Sequence, residues 1–335
     1  MVIFIKNTGI LSRESPGISE VITRVEKDLG ELKELLTRYR TSISIIDLMP
    51  MIHEPSLTKF ISEFLMNNNK VAYLGPEGSY SHEVALQLFS KNADLTPLKS
   101  IGDIVKCVYQ GDCGFGVIPI ENNQAGVVGE SMDSLVKWGV YVNHAVEYKV
   151  SLCLVVNEGT NINDINEVYS HPHAINEALN FISRLNASIN YTQSTSEALR
   201  LIKGYRHKAA IASRIGAEIH GLRPLICGIE DNPNYTRFLV ISRHMGRIGD
   251  RTMAIFSVPN KPGSLFNALK PFADLGINLS MIYSRPNRAS PWGYDFLLET
   301  ECQLTNEACR RAFDELSDMA VYVKLLGSYS IMRIY

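Results

Sequence analysis

Asp231-Asn232-Pro233-Asn234-Tyr235-Thr236-Arg237-Phe238 runs straight into the apolar stretch Leu239-Val240-Ile241, and the reading of this segment decides how the chain is organised. Pro233 presets a turn, and Asp231, Asn232 and Asn234 carry short polar side chains that bond nearby backbone in turns. The apolar run that follows reads as a strand. A Thr–Arg pair where a loop meets a strand matches a planar carboxylate: arginine grips it with two parallel N–H groups, and threonine adds one small donor. Taken alone, the segment reads first as a polar hairpin with a surface ion pair. Its surroundings change that balance.

The chain of 335 residues is long enough for two or three domains with sizeable cores. Hydrophobic residues make up 45% and charged residues 20%, as in an ordinary globular protein. Lys+Arg total 33 against 35 Asp+Glu, a net charge of −2. That balance leaves no electrostatic footprint for nucleic acid or an anionic membrane, so a small ligand or a protein partner is expected instead. No stretch approaches the ~20 apolar residues of a membrane span, and the opening Met1–Lys6 run is too short to read as a signal peptide. Cys107, Cys113, Cys153, Cys227, Cys302 and Cys309 form no CxxC and no zinc-ligand spacing. Buried free thiols and a reducing cytoplasm are the expectation.

Three units are expected along the chain. Residues 1–69 read as a mainly helical N-terminal extension. Ile18, Val21, Ile22, Val25, Leu29 and Leu32 recur at three- and four-residue steps, Ser56–Leu65 reads as a shorter helix, and Asn67-Asn68-Asn69 marks a boundary. Residues 70–246 read as α/β. Strands at Val71–Leu74, Phe115–Ile120, Ser151–Val156 and Ala209–Ala212 alternate with helices, which argues for parallel sheets with ligands at the strand-to-helix turns. Residues 250–335 follow the order β-α-β-β-α-β, the split ferredoxin-like arrangement.

Four turns in the middle unit look alike: Gly78-Ser79-Tyr80-Ser81, Gly129-Glu130-Ser131, Ser170-His171-Pro172-His173 and Ser194-Thr195-Ser196 each precede a helix. Each aims free backbone N–H groups and a hydroxyl at one spot, with the positive end of a helix dipole behind them. Each is also an ordinary helix cap, and Ser194 with Glu197 fits the capping box. Together with Thr236 and Arg237 they favour a small anionic ligand, such as one with two carboxylates. No lysine-bearing P-loop appears and no GxGxxG follows a strand. His171 and His173 lack a third ligand at metal-binding spacing. Glu121, at a strand end, reads either as a general base or as a carboxylate that orients loop amides, the second being favoured.

In this order the motifs resemble prephenate dehydratase from Lys70 to Tyr335. Gly75-Pro76-Glu77-Gly78-Ser79-Tyr80-Ser81 is similar to the family's GPxGTxS turn, Pro119-Ile120-Glu121-Asn122-Asn123 to its P-[VI]-E-N-S segment, and Ser170-His171-Pro172-His173-Ala174 to its SHPQA segment. Ser194-Thr195-Ser196-Glu197-Ala198 is similar to STxxA, and the opening segment ends in the TRF signature. The third unit resembles an ACT domain, with Gly263-Ser264-Leu265-Phe266 where the family has GALV and Ser284-Arg285-Pro286 where it has ESRP.

The resemblance implies a two-lobed α/β catalytic domain, like periplasmic ligand-binding proteins, joined to a ferredoxin-like ACT regulatory domain. It implies decarboxylative dehydration of prephenate to phenylpyruvate, without metal or organic cofactor. Thr236, Arg237, Glu121 and Asn122 would form the catalytic group, with Thr236 acting on the departing hydroxyl. Ser79, Tyr80, Ser81, Ser170, His171, Ser194, Thr195 and Phe238 would contact substrate. It implies feedback by L-phenylalanine at Gly263, Ser264, Leu265, Phe266, Asn278, Ser284, Arg285 and Pro286, between paired ACT domains of a homodimer or homotetramer.

The sequence also departs from the pattern. Asn123 replaces the Ser of ENS, Ser79 the Thr of GTxS, and Tyr283 the Glu of ESRP, while Ser264 and Phe266 alter GALV. Residues 1–69 stand where bifunctional relatives carry a chorismate mutase. Asp28–Leu36 faintly resembles its first helix, but the Arg and Lys expected near Tyr39 and Met49 are absent there, so a remnant or a structural extension is expected. Arogenate dehydratase, a decarboxylase that keeps the hydroxyl, and a non-enzymatic amino-acid sensor stay open as alternatives. The decarboxylating relatives lack the TRF threonine that this chain has.

Overall fold

The computed structural model describes residues 70–89, 93–247, 249–287 and 292–334. The helical extension expected over residues 1–69 lies outside them. Lobe 1 begins with β1 (Lys70–Leu74), α1 (Tyr80–Leu88), β2 (Asp94–Leu98), α2 (Ile101–Gln110), β3 (Phe115–Asn122), the short β4 (Gly126–Val127), α3 (Gly129–Lys137) and β5 (Tyr141–Val150). The chain then crosses into lobe 2. There it forms β6 (Cys153–Val156), β7 (Glu167–Ser170), α4 (Pro172–Glu177), α5 (Leu179–Ile182) and β8 (Ser188–Tyr191). It continues with α6 (Thr195–Ile202), β9 (Lys208–Ala212), α7 (Arg214–Ile219) and β10 (Arg223–Cys227), and returns to lobe 1 as β11 (Asn234–Ser242). Serine hydroxyls start the helices: Ser79, Ser100, Ser194 and Ser213 each accept a first-turn N–H.

The third unit is β12 (Arg251–Ser257), α8 (Ser264–Asp274), β13 (Leu279–Pro286), β14 (Tyr294–Thr300), α9 (Glu307–Met319) and β15 (Tyr322–Tyr329). Its sheet runs β13-β14-β12-β15, the ferredoxin-like order. A last strand, β16 (Ile331–Ile334), leaves this unit and pairs in parallel with β5 of lobe 1.

Both catalytic sheets are mixed rather than parallel. Lobe 1 has the order β16-β5-β11-β3-β1-β2, and lobe 2 the order β10-β6-β9-β7-β8. The crossing causes this. The strand that leaves lobe 1 and the strand that returns lie side by side, so β11 is antiparallel to β5 and also to β3. In each lobe one strand keeps parallel partners on both sides: β1 between β2 and β3, and β7 between β8 and β9.

One apolar core spans two units. Leu239 and Ile241 of β11 pack with Met253, Ile255, Leu297 and Leu326 of the third unit, all buried. Each such side chain contributes about 1.5–3 kcal/mol when fully buried. Polar ties border this core. Arg285 holds both oxygens of Asp133 at 2.6 and 2.7 Å, and that carboxylate raises the affinity of the guanidinium for its proton. Lys324 donates to the carbonyls of Leu135, Val136 and Trp138 at the end of α3, where a cation suits the helix dipole.

The cysteines correct the expectation of free thiols. All six are paired, as Cys107–Cys113, Cys153–Cys227 and Cys302–Cys309. Cys153 and Cys227 meet because β6 and β10 pair antiparallel with these two residues opposite each other. With no free thiol left among the described residues, the cysteines no longer argue for a reducing compartment.

Candidate active site

The segment from Asp231 to Phe238 forms the second crossing between the lobes. On the lobe 2 side, the Asp231 carboxylate accepts the Asn180 N–H at the start of α5. On the lobe 1 side, the Asn123 amide donates to the Pro233 carbonyl at 3.0 Å and accepts the Tyr235 N–H at 2.8 Å. The family's serine would have to donate and accept through one oxygen, whereas this amide does so through two separate atoms.

Alternation along β11 then separates neighbours. Thr236 stands opposite Asn122 of β3 and Tyr148 of β5. Asn122 Nδ2 donates to Thr236 Oγ1 at 2.9 Å and to Asn234 Oδ1 at 2.6 Å. Asn122 Oδ1 accepts the N–H groups of Gln124 and Ala125 at 2.9 and 2.8 Å. Those two backbone donors can face only the oxygen, which fixes the amide with its N–H groups toward the threonine. Oγ1 of Thr236 thus accepts from Asn122, and its hydrogen has no acceptor among the described residues. A hydroxyl held in this way is a directed donor. Beside it, the rings of Phe238 and Tyr148 lie 6.5 Å apart, and those of Tyr148 and Tyr80 6.1 Å.

Arg237 takes the opposite face. Its Nη1 lies 3.4 Å from Glu121 and 3.3 Å from Glu299 of the third unit. Glu121 therefore pairs with Arg237 instead of orienting loop amides. That role falls to Asn122, whose two faces serve the loop and the threonine at once.

The turn before α1 is seated by lobe 2. Ser213 donates to the Gly78 carbonyl at 2.7 Å and Ser196 to that of Glu77 at 3.3 Å. Gly78 has φ +80°, and a Cβ there would fall 2.9 Å from the Gly216 Cα. Both the backbone conformation and the close approach require glycine. The first turns of α1, α6 and α7 therefore converge at the lobe junction, with first-turn amides that lack intrahelical partners.

The other expected residues divide. Ser79 caps α1 and donates to the Leu74 carbonyl at 2.9 Å, while Ser81 is buried in the first turn of that helix. Ser194 caps α6, and Thr195 is its first residue. Ser170 is buried within lobe 2 and donates to the Ile211 carbonyl at 2.7 Å, so its hydroxyl hydrogen is committed there. His171 caps α4, and His173 lies 3.5 Å from Glu177.

In the third unit, Gly263 (φ +82°) starts α8, with Ser264, Leu265 and the exposed Phe266 in its first turn. Ser284, Arg285 and Pro286 end β13 at the same end of the sheet. Asn278 precedes β13 and lies at the opposite end. Arg285 is engaged by Asp133, beside a cavity of about 570 Å³ between α3 and the end of β13.

Sequence reasoning missed Tyr148, Glu83 and Glu299. Tyr148 is hydrogen-bonded to Glu83, and burial lifts the pKa of both above their ordinary values. Its signal was the alternating run Tyr141–Val150, which reads as β5 once its polar residues are assigned to one face.

Two α/β lobes joined by crossing strands, with a positioned hydroxyl at the crossing, define a cleft-type α/β enzyme. The comparisons with known proteins narrow the class. Residues 71–246 match the prephenate dehydratase family and residues 252–317 the ACT domain, so the chain belongs to the prephenate dehydratase family. A bifunctional chorismate mutase/prephenate dehydratase of Stutzerimonas stutzeri is 33% identical over 78% of this chain and 73% of its own. The crystal structure of prephenate dehydratase from Staphylococcus aureus is 30% identical, with TM-score 0.71 over 78% of this chain and 99% of that one. The Arthrobacter aurescens enzyme in complex with L-Phe is 27% identical, with TM-score 0.70 over 78% and 90%. A structure described as GqqA, a quorum quenching acylase, is 27% identical, with TM-score 0.73 over 78% and 98%.

Proposed function

We propose that the chain converts prephenate to phenylpyruvate, carbon dioxide and water, with Thr236 as the donor to the departing ring hydroxyl. The observation that carries this is the Asn122–Thr236 hydrogen bond, which leaves the threonine hydrogen directed outward at the lobe junction. The electron pair of the breaking C–CO₂ bond enters the ring and expels the 4-hydroxyl, which takes up a proton and leaves as water. Aromatisation drives the step. A fixed donor aimed at the developing hydroxide stabilises the transition state more than the ground state. Asn122 positions that donor, and the first-turn amides of α1 and α6, with Thr195, hold the substrate carboxylates. Ser170 and His171 serve the fold of lobe 2 in this reading, and Arg237 braces β11 from behind.

L-Phenylalanine is the effector, at the end of the ACT domain that carries Gly263–Phe266 and Ser284–Pro286, and the working form is a homodimer or homotetramer in the cytoplasm. Purified protein given prephenate should yield phenylpyruvate, read by its absorbance in alkali. No phenylpyruvate at any enzyme concentration would sink the reading. Arogenate and an acylated amide, run in parallel, separate the dehydratase from its amino-substrate variant and from the acylase activity described for GqqA.

A further inference from the structure

Glu299 is the next-to-last residue of β14 and is fully buried. A buried carboxylate costs several kcal/mol unless it is paired and hydrogen-bonded. Its own unit supplies the hydroxyls of Ser280 and Tyr329 and, at 3.5 Å, Nη1 of Arg251. Lobe 1 supplies Nη1 of Arg237, at 3.3 Å. Arg237 is the residue next to Thr236 and shares its strand.

We propose that Glu299 of the ACT domain is a positioning residue for the reaction at Thr236, acting through Arg237, and that this pair links the effector-bearing sheet to the site. The proposal rests on the dehydratase reading above. Three observations support it. First, the β3–β11 ladder changes register between Arg237 and Phe238, with Ile120 as the extra residue. A bulge re-aims side chains and weakens backbone control, so the Arg237 anchor counts for more in setting where Thr236 points. Second, Arg237 meets both Glu121 and Glu299 end-on through Nη1, and its buried Nε has no partner among the described residues. An end-on contact lacks the lock of a two-pronged one, so the guanidinium follows whichever carboxylate is nearer. Third, Ser280, which donates to Glu299, belongs to β13, the strand that ends in Ser284–Pro286. A ligand that shifts β13 therefore shifts the carboxylate holding Arg237.

Glu299→Gln keeps the shape and removes the charge. Each arginine retains a second carboxylate, Glu121 for Arg237 and Glu301 for Arg251 at 2.9 Å, which favours a folded variant. The expected result is a roughly tenfold fall in kcat with KM for prephenate within about twofold. Adding Arg237→Gln should cost little more, because both changes cut one link. A kcat within twofold of the unaltered chain, or losses that multiply in the double variant, overturns the proposal. If Glu299→Gln does not fold, Tyr329→Phe removes one of the carboxylate's anchors and should lower kcat about threefold. Unchanged kcat there overturns the proposal equally. Absence of prephenate turnover in the unaltered chain is a different failure and strikes the dehydratase reading itself.

Discussion

On one face of the lobe 1 sheet, Asn122, Thr236 and Tyr148 stand in a row across three strands. On the other, Glu121, Arg237, Glu147 and Arg333 form a row across four. The first row is neutral and borders the lobe junction. The second alternates in charge, with Arg237 paired to Glu121 at 3.4 Å and Arg333 to Glu147 at 3.6 Å, and its centre faces the third unit. The TRF signature therefore serves two faces at once. Its threonine and its arginine are one residue apart in the chain and on opposite sides of the sheet, so they cannot share one substrate carboxylate. In the proposed function one face carries the chemistry, and the other carries the attachment to the ACT domain.

If the faces differ in this way, substitutions on them should fail differently. The largest effect is expected from Thr236→Ala. Loss of a positioned transition-state donor should lower kcat about 10²–10³-fold, with little change in KM or melting temperature. Steady-state kinetics and a thermal melt on the same sample check this, and unchanged turnover would remove Thr236 from the mechanism. Next is Leu239→Ala, on the attachment face. It opens a cavity in the core shared by lobe 1 and the ACT domain and should cost about 2–5 kcal/mol of stability in denaturant melts. Native-like stability would mean that the shared core is not holding the units together.

Asn122→Asp sharpens the same contrast at a smaller scale. A carboxylate still accepts from Gln124 and Ala125 but cannot donate to Thr236, so kcat should fall about 10–100-fold while the loop stays ordered. Equal kinetics for Asn and Asp would show that the threonine needs no such donor.

The smallest effect concerns pH. Burial holds the pKa of His82, His144 and His220 below the ordinary 6.5. Below that value the unfolded chain binds more protons than the native one. Their contribution to stability is therefore complete above about pH 6.5 and is lost as pH falls through the folded values. His144→Gln should flatten the decline of melting temperature between about pH 6.5 and 5, and a slope identical to that of the unaltered chain would discount this histidine.

The strand carrying Thr236 was legible because turn formers, a hydroxyl and an apolar run follow one another in the sequence. The helix starts were legible for a similar local reason: Ser79 and Ser194 advertise themselves as caps. What escaped depends on pairing between distant segments. Thr236 and Arg237 were read as one grip because the segment was taken for a loop, whereas strand alternation already separates them. The cystine Cys153–Cys227 spans 74 residues and exists only because β6 and β10 lie together. The parallel-sheet expectation failed because crossing between lobes reverses strand direction, which local periodicity does not record. Glu299 did leave a trace. A charge directly following the apolar run Phe296-Leu297-Leu298 demands a buried partner, but nothing local says that the partner is Arg237.

The strand β16 has a further consequence, one of timing. Lobe 2 is built from a continuous stretch, Cys153 to Cys227, and can close as soon as that stretch has left the ribosome. The sheet of lobe 1 must wait for Ile331–Ile334, roughly 90 residues after β11 ends. At about 5–20 residues per second, that interval is on the order of 10 s. Throughout it, the backbone edge of β5 stands open to whatever else is nearby, and the apolar face around Leu239 is covered by α2 and α3 but not yet by the whole ACT domain. The newborn chain thus passes through a period in which the β5 edge is unpaired and the second face of the sheet is only partly covered, and a chaperone binding extended apolar segments would find its target there.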